Sequence, residues 1–216
     1  VYDVCIRYPV SLLRGASFVL FIFFLPHLFG RNEGEAIAQR SKNGAKVVST
    51  ANTIVNEYTS LTANAAAGAT TITVAASSLN ANGRFPGTLA AGDLVMIIQI
   101  QGATIDGTPN GNVGSPPDSS WGAITSYNNC GNWEFSEVTS VPNGTSITLD
   151  CPLKNNYTAA GKTEVVRVPR YSSLTINNGG VLTCDTWNGT IGGICAIEVE
   201  NNTIINNAKT IDENDI

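Results

Sequence analysis

Short apolar runs, each closed off by glycine, asparagine or proline, follow one another from about residue 53, and this punctuation is what most limits the fold. Residues 71–74 (TITV) alternate with period two, as a half-buried strand does. Residues 94–100 (LVMIIQI) form a continuous apolar run flanked by turn residues, which predicts a fully buried central strand. Residues 133–141 (WEFSEVTSV) and 145–149 (TSITL) alternate on either side of Pro142-Asn143-Gly144 and predict a hairpin. Residues 164–168 (EVVRV) read as another strand, which Pro169 ends or places on an edge. Composition points the same way. Charged residues are 13% of the chain, against about a quarter in ordinary soluble domains. Glycine, asparagine, threonine, serine and alanine take their place and suit turns and β-branched strands.

From Tyr171 the pattern changes. SSLTINNGGVLT and ICAIEVENNTIINNAKTI carry short alternating strands broken by Asn-Asn or Gly-Gly, with Asn-Asn at 177–178, 201–202 and 206–207. Short strands with turn residues at each corner are how a stacked solenoid is written, although ordinary sandwich hairpins share the pattern. The expected fold is therefore all-β: a small β-barrel or sandwich leading into the first rungs of a parallel β-helix-like solenoid. The expected boundaries are 1–38 for a signal peptide and upstream residues, and 39–52 for a flexible linker. The barrel or sandwich follows at 53–168, and the start of the repeats, truncated, at 169–216. The chain begins with Val and its last segment stops in mid-pattern, so a fragment is expected.

Residues 16–25 (ASFVLFIFFL) are unbroken and apolar, preceded by Arg7 and Arg14 and followed by Ala36-Ile37-Ala38. A basic flank, a short apolar stretch and a small-residue cleavage site make a secretory signal, with cleavage before Gln39. The run falls short of the about 20 apolar residues that a membrane span needs, which disfavours an uncleaved anchor. The charged stretch between Phe29 and Ala36 fits a signal less well.

Net charge is −5, and no basic run is present. Nucleic-acid binding needs a positive footprint and is not expected. The single histidine, His27, lies in the leader. After cleavage no Ser-His-Asp or Cys-His centre can form, and imidazole metal ligands are gone. Cys130, Cys151, Cys184 and Cys195 then remain, an even number in an export context, so two disulfides are expected among the connectivities four cysteines allow. Asn188-Gly189 is a strong turn dipeptide that would bring Cys184 and Cys195 almost opposite each other. Cys130 with Cys151 follows by elimination, with a less comfortable geometry. Four buried thiols are the alternative.

Few constellations suggest chemistry. Glu134 and Glu137 have opposite parity on a strand, so they point apart rather than forming the close pair that glycoside hydrolysis needs. Glu198 and Glu200 share a face, expected to be solvated. Asp106, Asn110 and Asn112 in the long loop 101–120 are weak calcium candidates, with a plain turn as the stronger reading. Trp121, Tyr127 and Trp133 cluster in sequence beside that loop. Exposed, they would stack on sugar rings; buried, they would be core. Four N-glycan acceptor patterns, beginning at Asn143, Asn156, Asn188 and Asn201, are near chance in so Asn- and Thr-rich a chain.

Residues 65–78 (AAAGATTITVAASS) and 89–103 (LAAGDLVMIIQIQGA) resemble a small β-domain near the N-termini of large secreted bacterial surface proteins of adhesin-like type. Residues 165–206 resemble the entry into repetitive β-structure that follows it. The resemblance covers about residues 60–207. It implies architecture and carries no catalytic residues across. The expected function is thus a non-catalytic exported module at the bacterial surface or secreted, with extracellular glycan or the cell surface as partner. Neither cofactor, nucleic acid nor, after leader cleavage, membrane is expected. The alternative is the front part of a secreted β-helical polysaccharide-degrading enzyme whose catalytic residues lie downstream.

Overall fold

A computed structural model describes residues 40–107 and 121–206. The leader, with its expected cleavage site, lies outside the described residues, as do Asn110 and Asn112. In chain order the strands are β1 (Ala45–Val48), β2 (Thr53–Ile54), β3 (Glu57–Ser60), β4 (Thr71–Thr73) and β5 (Leu94–Gln99). There follow β6 (Thr104–Ile105), β7 (Ile124–Ser126), β8 (Trp133–Asn143), β9 (Ser146–Leu149) and β10 (Thr163–Val168). The last five are β11 (Arg170–Tyr171), β12 (Ser173–Ile176), β13 (Leu182–Thr183), β14 (Glu198–Val199) and β15 (Thr203–Ile205). The protein is all-β.

Six strands form one antiparallel sheet in the order β3-β10-β5-β8-β9-β4. Its two outer strands meet: Leu61 bridges Val74, and Thr62 N–H donates to Thr73 O at 2.9 Å. The sheet therefore curls round onto itself, and of barrel or sandwich it is the barrel that forms. Closure removes the unpaired edges that an open sheet would expose. Alternation fills the interior. Val95 and Ile97 from β5, Val165 from β10, Val138 from β8, Ile147 and Leu149 from β9, and Ile72 from β4 make one buried cluster. The hairpin forms where Pro142-Asn143-Gly144 predicts it, with Asn143 opposite Ser146 and Asn143 Oδ1 accepting from Thr145 N–H at 2.9 Å. β5 is central, as expected, but buried fully on one face only. Met96 and Ile98, on the other face, are half-buried because the barrel's outside is only partly covered.

Apart from the antiparallel pair β6–β7, the remaining ladders are parallel. β1 pairs with β12, and β12 with β15. β2 pairs with β13, and β11 with β14. Here the structure differs from the expected linker at 39–52. Residues 45–48 of that stretch are β1, its backbone satisfied by β12 far along the chain. The barrel is thus set between β2 and β11, inside a parallel stack rather than ahead of it. A side-chain ladder marks one corner. Asn206 Nδ2 donates to Asn177 Oδ1 at 3.3 Å, and Asn177 Nδ2 donates to Ser49 Oγ at 3.0 Å. Corner packing is tight at Gly180, where a Cβ would lie 2.3 Å from Val48 O.

Ion pairs join barrel to stack. Asp93, in the turn before β5, takes Lys42 at 2.7 Å and Arg167 at 2.7 Å. Arg170 of β11, itself buried, donates to Glu137 of β8 at 2.6 Å and to Glu198 of β14. Arg84 grips Asp185 through two bonds of 2.6 and 2.8 Å.

Two outcomes are expected from this arrangement. Gly180→Ala should lower stability by about 2 kcal/mol or more, since backbone rather than a flexible side chain blocks the new methyl; urea denaturation measures it. Arg170→Met should cost about 3 kcal/mol, because two partly buried carboxylates lose their partner. The same variant should raise amide exchange in β14 before it does so in β5.

Candidate binding surface

Gln99 is the last residue of β5, and it faces inward where an apolar residue would continue the core. Its amide is fully buried and fully used. Nε2 donates to Gln101 O at 2.8 Å and to Asn128 O at 2.9 Å, and Oε1 accepts from Thr158 N–H at 2.9 Å. A buried amide must find such partners or cost several kcal/mol, so it dictates where the chain beyond β5 runs. Asn128 completes the base. Nδ2 donates to Gly102 O at 3.0 Å and to Thr104 Oγ1 at 2.9 Å, and Oδ1 accepts from Ser126 Oγ at 2.8 Å. Its φ of 46° suits asparagine, which tolerates the left-handed region. These two amides fix the β6–β7 hairpin at one end of the barrel.

On that rigid base the aromatics face outward. Trp121 precedes β7 and is 55% exposed; Tyr127 follows it and is 66% exposed. Trp133 and Phe135 begin β8 on one face, opposite Ile98 and Met96 of β5. They are 44% and 37% exposed, with ring centroids 5.8 Å apart and planes at 76°, an edge-to-face pair. Ile105 and Ile124 of the same hairpin are exposed too. The core reading of Trp121, Tyr127 and Trp133 is therefore overturned. Phe135 is an addition: its position two residues after Trp133 on an alternating strand was the available signal.

The candidate glutamates Glu134, Glu137, Glu198 and Glu200 are each engaged by a partner. Glu134 accepts from the backbone N–H of Lys154 and Asn155 and from Tyr157 Oη at 2.9 Å. Glu137 and Glu198 meet at Arg170, and Glu200 accepts from Ser41 Oγ. Glu134 and Glu137 do point apart. Glu198 and Glu200 are not simply solvated, since each has a partner. Asp106 holds the hairpin through its backbone, N–H to Ala123 O at 2.8 Å and O to Gly122 N–H at 2.7 Å. Among the described residues no three metal-ligating side chains converge.

Cys130, Cys151, Cys184 and Cys195 form no disulfide with one another, so the expected disulfides are absent from this structure. Cys130 Sγ instead donates to Ile100 O at 3.1 Å, and Cys151 lies beside Asp150. The turn at Asn188-Gly189 does form, closed by Gly193 N–H to Asp185 O at 2.7 Å. The turn brings Cys184 and Cys195 near each other, as expected, since Cys195 is raised by burial and by the Cys184 charge beside it, but the two remain thiols.

No family model matches the chain, and no curated protein matches it. Solved structures with a slight likeness include three phage tailspikes. The tailspike gp61 of Pseudomonas phage phi297 is 18% identical at a TM-score of 0.32, covering 70% of this chain and 19% of that one. The gp54 tailspike of Acinetobacter baumannii bacteriophage AP22, solved with A. baumannii capsular saccharide, is 12% identical at 0.34, covering 74% and 24%. The tailspike gp49 of Pseudomonas phage LKA1 is 15% identical at 0.31, covering 75% and 28%. The chain thus spans less than a third of each tailspike, and a likeness of this size carries no argument.

Exposure separates surface from core in a testable way. Trp133→Ala should cost about 1 kcal/mol or less, whereas Ile97→Ala in the barrel interior should cost about 2–5 kcal/mol. Denaturation midpoints of the two variants measure the difference.

Proposed function

We propose that this chain is a non-catalytic exported module, secreted or held at the bacterial surface, and the N-terminal part of a larger adhesin-like protein. In this reading the parallel ladders are the first rungs of a β-helix-like solenoid and the barrel is set into its beginning. The aromatic end of the barrel contacts extracellular glycan.

The observation that carries the reading is the exposure of Trp121, Tyr127, Trp133 and Phe135 around a hairpin held by two amides, Gln99 and Asn128. Exposed large apolar side chains, where contiguous, mark interaction sites. Flat aromatic faces with a polar rim suit the apolar faces of sugar rings. The engagement of Glu134, Glu137, Glu198 and Glu200 in structural bonds supports a binding rather than a hydrolytic role. The leader supports export.

A glycan array probed with this chain tests the proposal. At least one polysaccharide should bind, and Trp133→Ala should weaken that binding about tenfold, equivalent to about 1.4 kcal/mol, with the fold retained by circular dichroism. No binding by the wild-type chain, or equal binding by Trp133→Ala and Trp121→Ala, would remove the aromatic surface as the contact.

A further inference from the structure

Glu164 sits on β10 between Ser60 of β3 and Ile98 of β5. Its neighbour Val165 faces the barrel interior, so Glu164 points to the barrel's outer face, and there it is fully buried. What buries it is the segment 184–196, which runs between β13 and β14 and lies across β3 and β10. Four contacts hold that segment down. Arg84 binds Asp185, and Tyr58 Oη donates to Ile194 O at 2.5 Å. Asn56 makes a reciprocal pair with the backbone of Ala196, at 2.6 and 3.1 Å. The fourth is Glu164 itself, whose Oε2 accepts from Gly192 N–H at 2.8 Å. Its other oxygen, Oε1, is buried without a hydrogen-bond partner.

That is an unusual place for a carboxylate. A buried anion wants several donors, and this one has a single backbone N–H. The protonated acid keeps the bond to Gly192 and removes the buried charge. Burial accordingly pushes Glu164 up to about 7, with the Gly192 bond opposing only in part. Ionisation is tolerable only if water reaches the carboxylate, and the segment 184–196 is what keeps water out.

We propose that Glu164 is a proton-controlled latch: protonated, it lets the segment 184–196 seal the outer face of the barrel, and ionised, it drives that segment to lift. On ionisation the carboxyl O–H bond breaks, its electron pair stays on the carboxylate and the proton passes to water, and the hydrogen bond from Gly192 N–H is lost as the segment lifts. The titratable and charged groups around the segment do not reproduce this behaviour, and none of them is among the causes that raise Glu164. From β3 comes Tyr58, whose hydroxyl burial holds above its ordinary range. The segment brings Asp185, already paired with Arg84 of the preceding barrel loop, together with Cys184 and Cys195. β5 brings Met96 and Ile98, which do not titrate. β11 brings Tyr171, pushed up to about 12 by burial and Cys195.

The sign follows from linkage. A carboxyl raised in the sealed state contributes its full share below the ordinary Glu range. That share is lost as pH rises to about 7 and stays lost above it. Sealing should therefore weaken by roughly tenfold per pH unit between about pH 5 and 7.

Hydrogen exchange by NMR on the full chain tests this. The readout is the protection factor, the intrinsic rate divided by the observed rate, which removes the pH dependence of exchange chemistry. Protection at Gly192, Gly193 and Ala196 should fall steeply from pH 5 to 7 and level off by pH 8, while Val95 and Ile97 stay unchanged. Glu164→Gln keeps an acceptor for Gly192 and cannot ionise, so its protection should be flat across the same range. Wild-type protection that changes less than about twofold, or a Glu164→Gln profile that still falls, overturns the latch. Should Glu164→Gln not fold, the carboxyl carbon of Glu164 in the wild-type chain decides. A midpoint near 7 supports the latch, and one near the ordinary Glu value, about 4.3, overturns it.

Discussion

Two arginines, one on either side of Val168-Pro169, carry the connection between the barrel and the parallel strands. Arg167 ends the barrel's business. Its side chain is almost fully buried, lies 4.0 Å over the Phe85 ring, and donates to Leu79 O, Gly87 O and Asp93 Oδ2. One guanidinium thus gathers the long irregular stretch between β4 and β5, which has few ladder bonds of its own. Arg170 begins the stack and joins β8 to β14 through Glu137 and Glu198. Burial alone would lower both charges. At Arg170 the two carboxylates outweigh it, and at Arg167 burial still wins. A charge in that position cannot move without exposing or orphaning a partner, and this is why it sets the geometry of everything attached to it.

Asp93 extends the constraint in the other direction. It takes Arg167 and also Lys42, three residues before β1. The strand that enters the stack and the strand that leaves the barrel are therefore tied to one carboxylate. With the Ser49–Asn177–Asn206 ladder at the corner, this makes the seam polar rather than greasy. The aromatic hairpin sits on the same barrel and inherits its rigidity through Gln99 and Asn128. The segment 184–196 is held over a poorly solvated acid by polar bonds to Asn56, Tyr58, Arg84 and Glu164.

Much of the barrel was legible in residues 71–74, 94–100, 133–149 and 164–168. Their alternation and their turn dipeptides act locally, within a few residues. The seam left fainter marks. EVVRV carries Glu164 and Arg167 in a strand that is buried along its whole length, and charges in such a strand must be paired or neutral. Their partners, however, lie on Asp93 and Gly192, and no local pattern points to either. The linker expected at 39–52 shows the same limit. Residues 45–48 (AKVV) hold two valines but follow a polar, basic stretch and show no alternation, so little local marks a strand, and the parallel partner β12 makes them one.

Sequence alone determined that the chain would build from short strands, because glycine, asparagine and proline interrupt every apolar run before a helix could repay its nucleation. It determined the barrel hairpin and placed the aromatics beside a loop. Tertiary structure decided which way those aromatics face and that the sheet closes between Leu61 and Val74. It also decided that a barrel interrupts a parallel stack. Parallel pairing needs strands far apart in the chain to find each other, and such contacts are written in the matching of two distant surfaces rather than in the period of either.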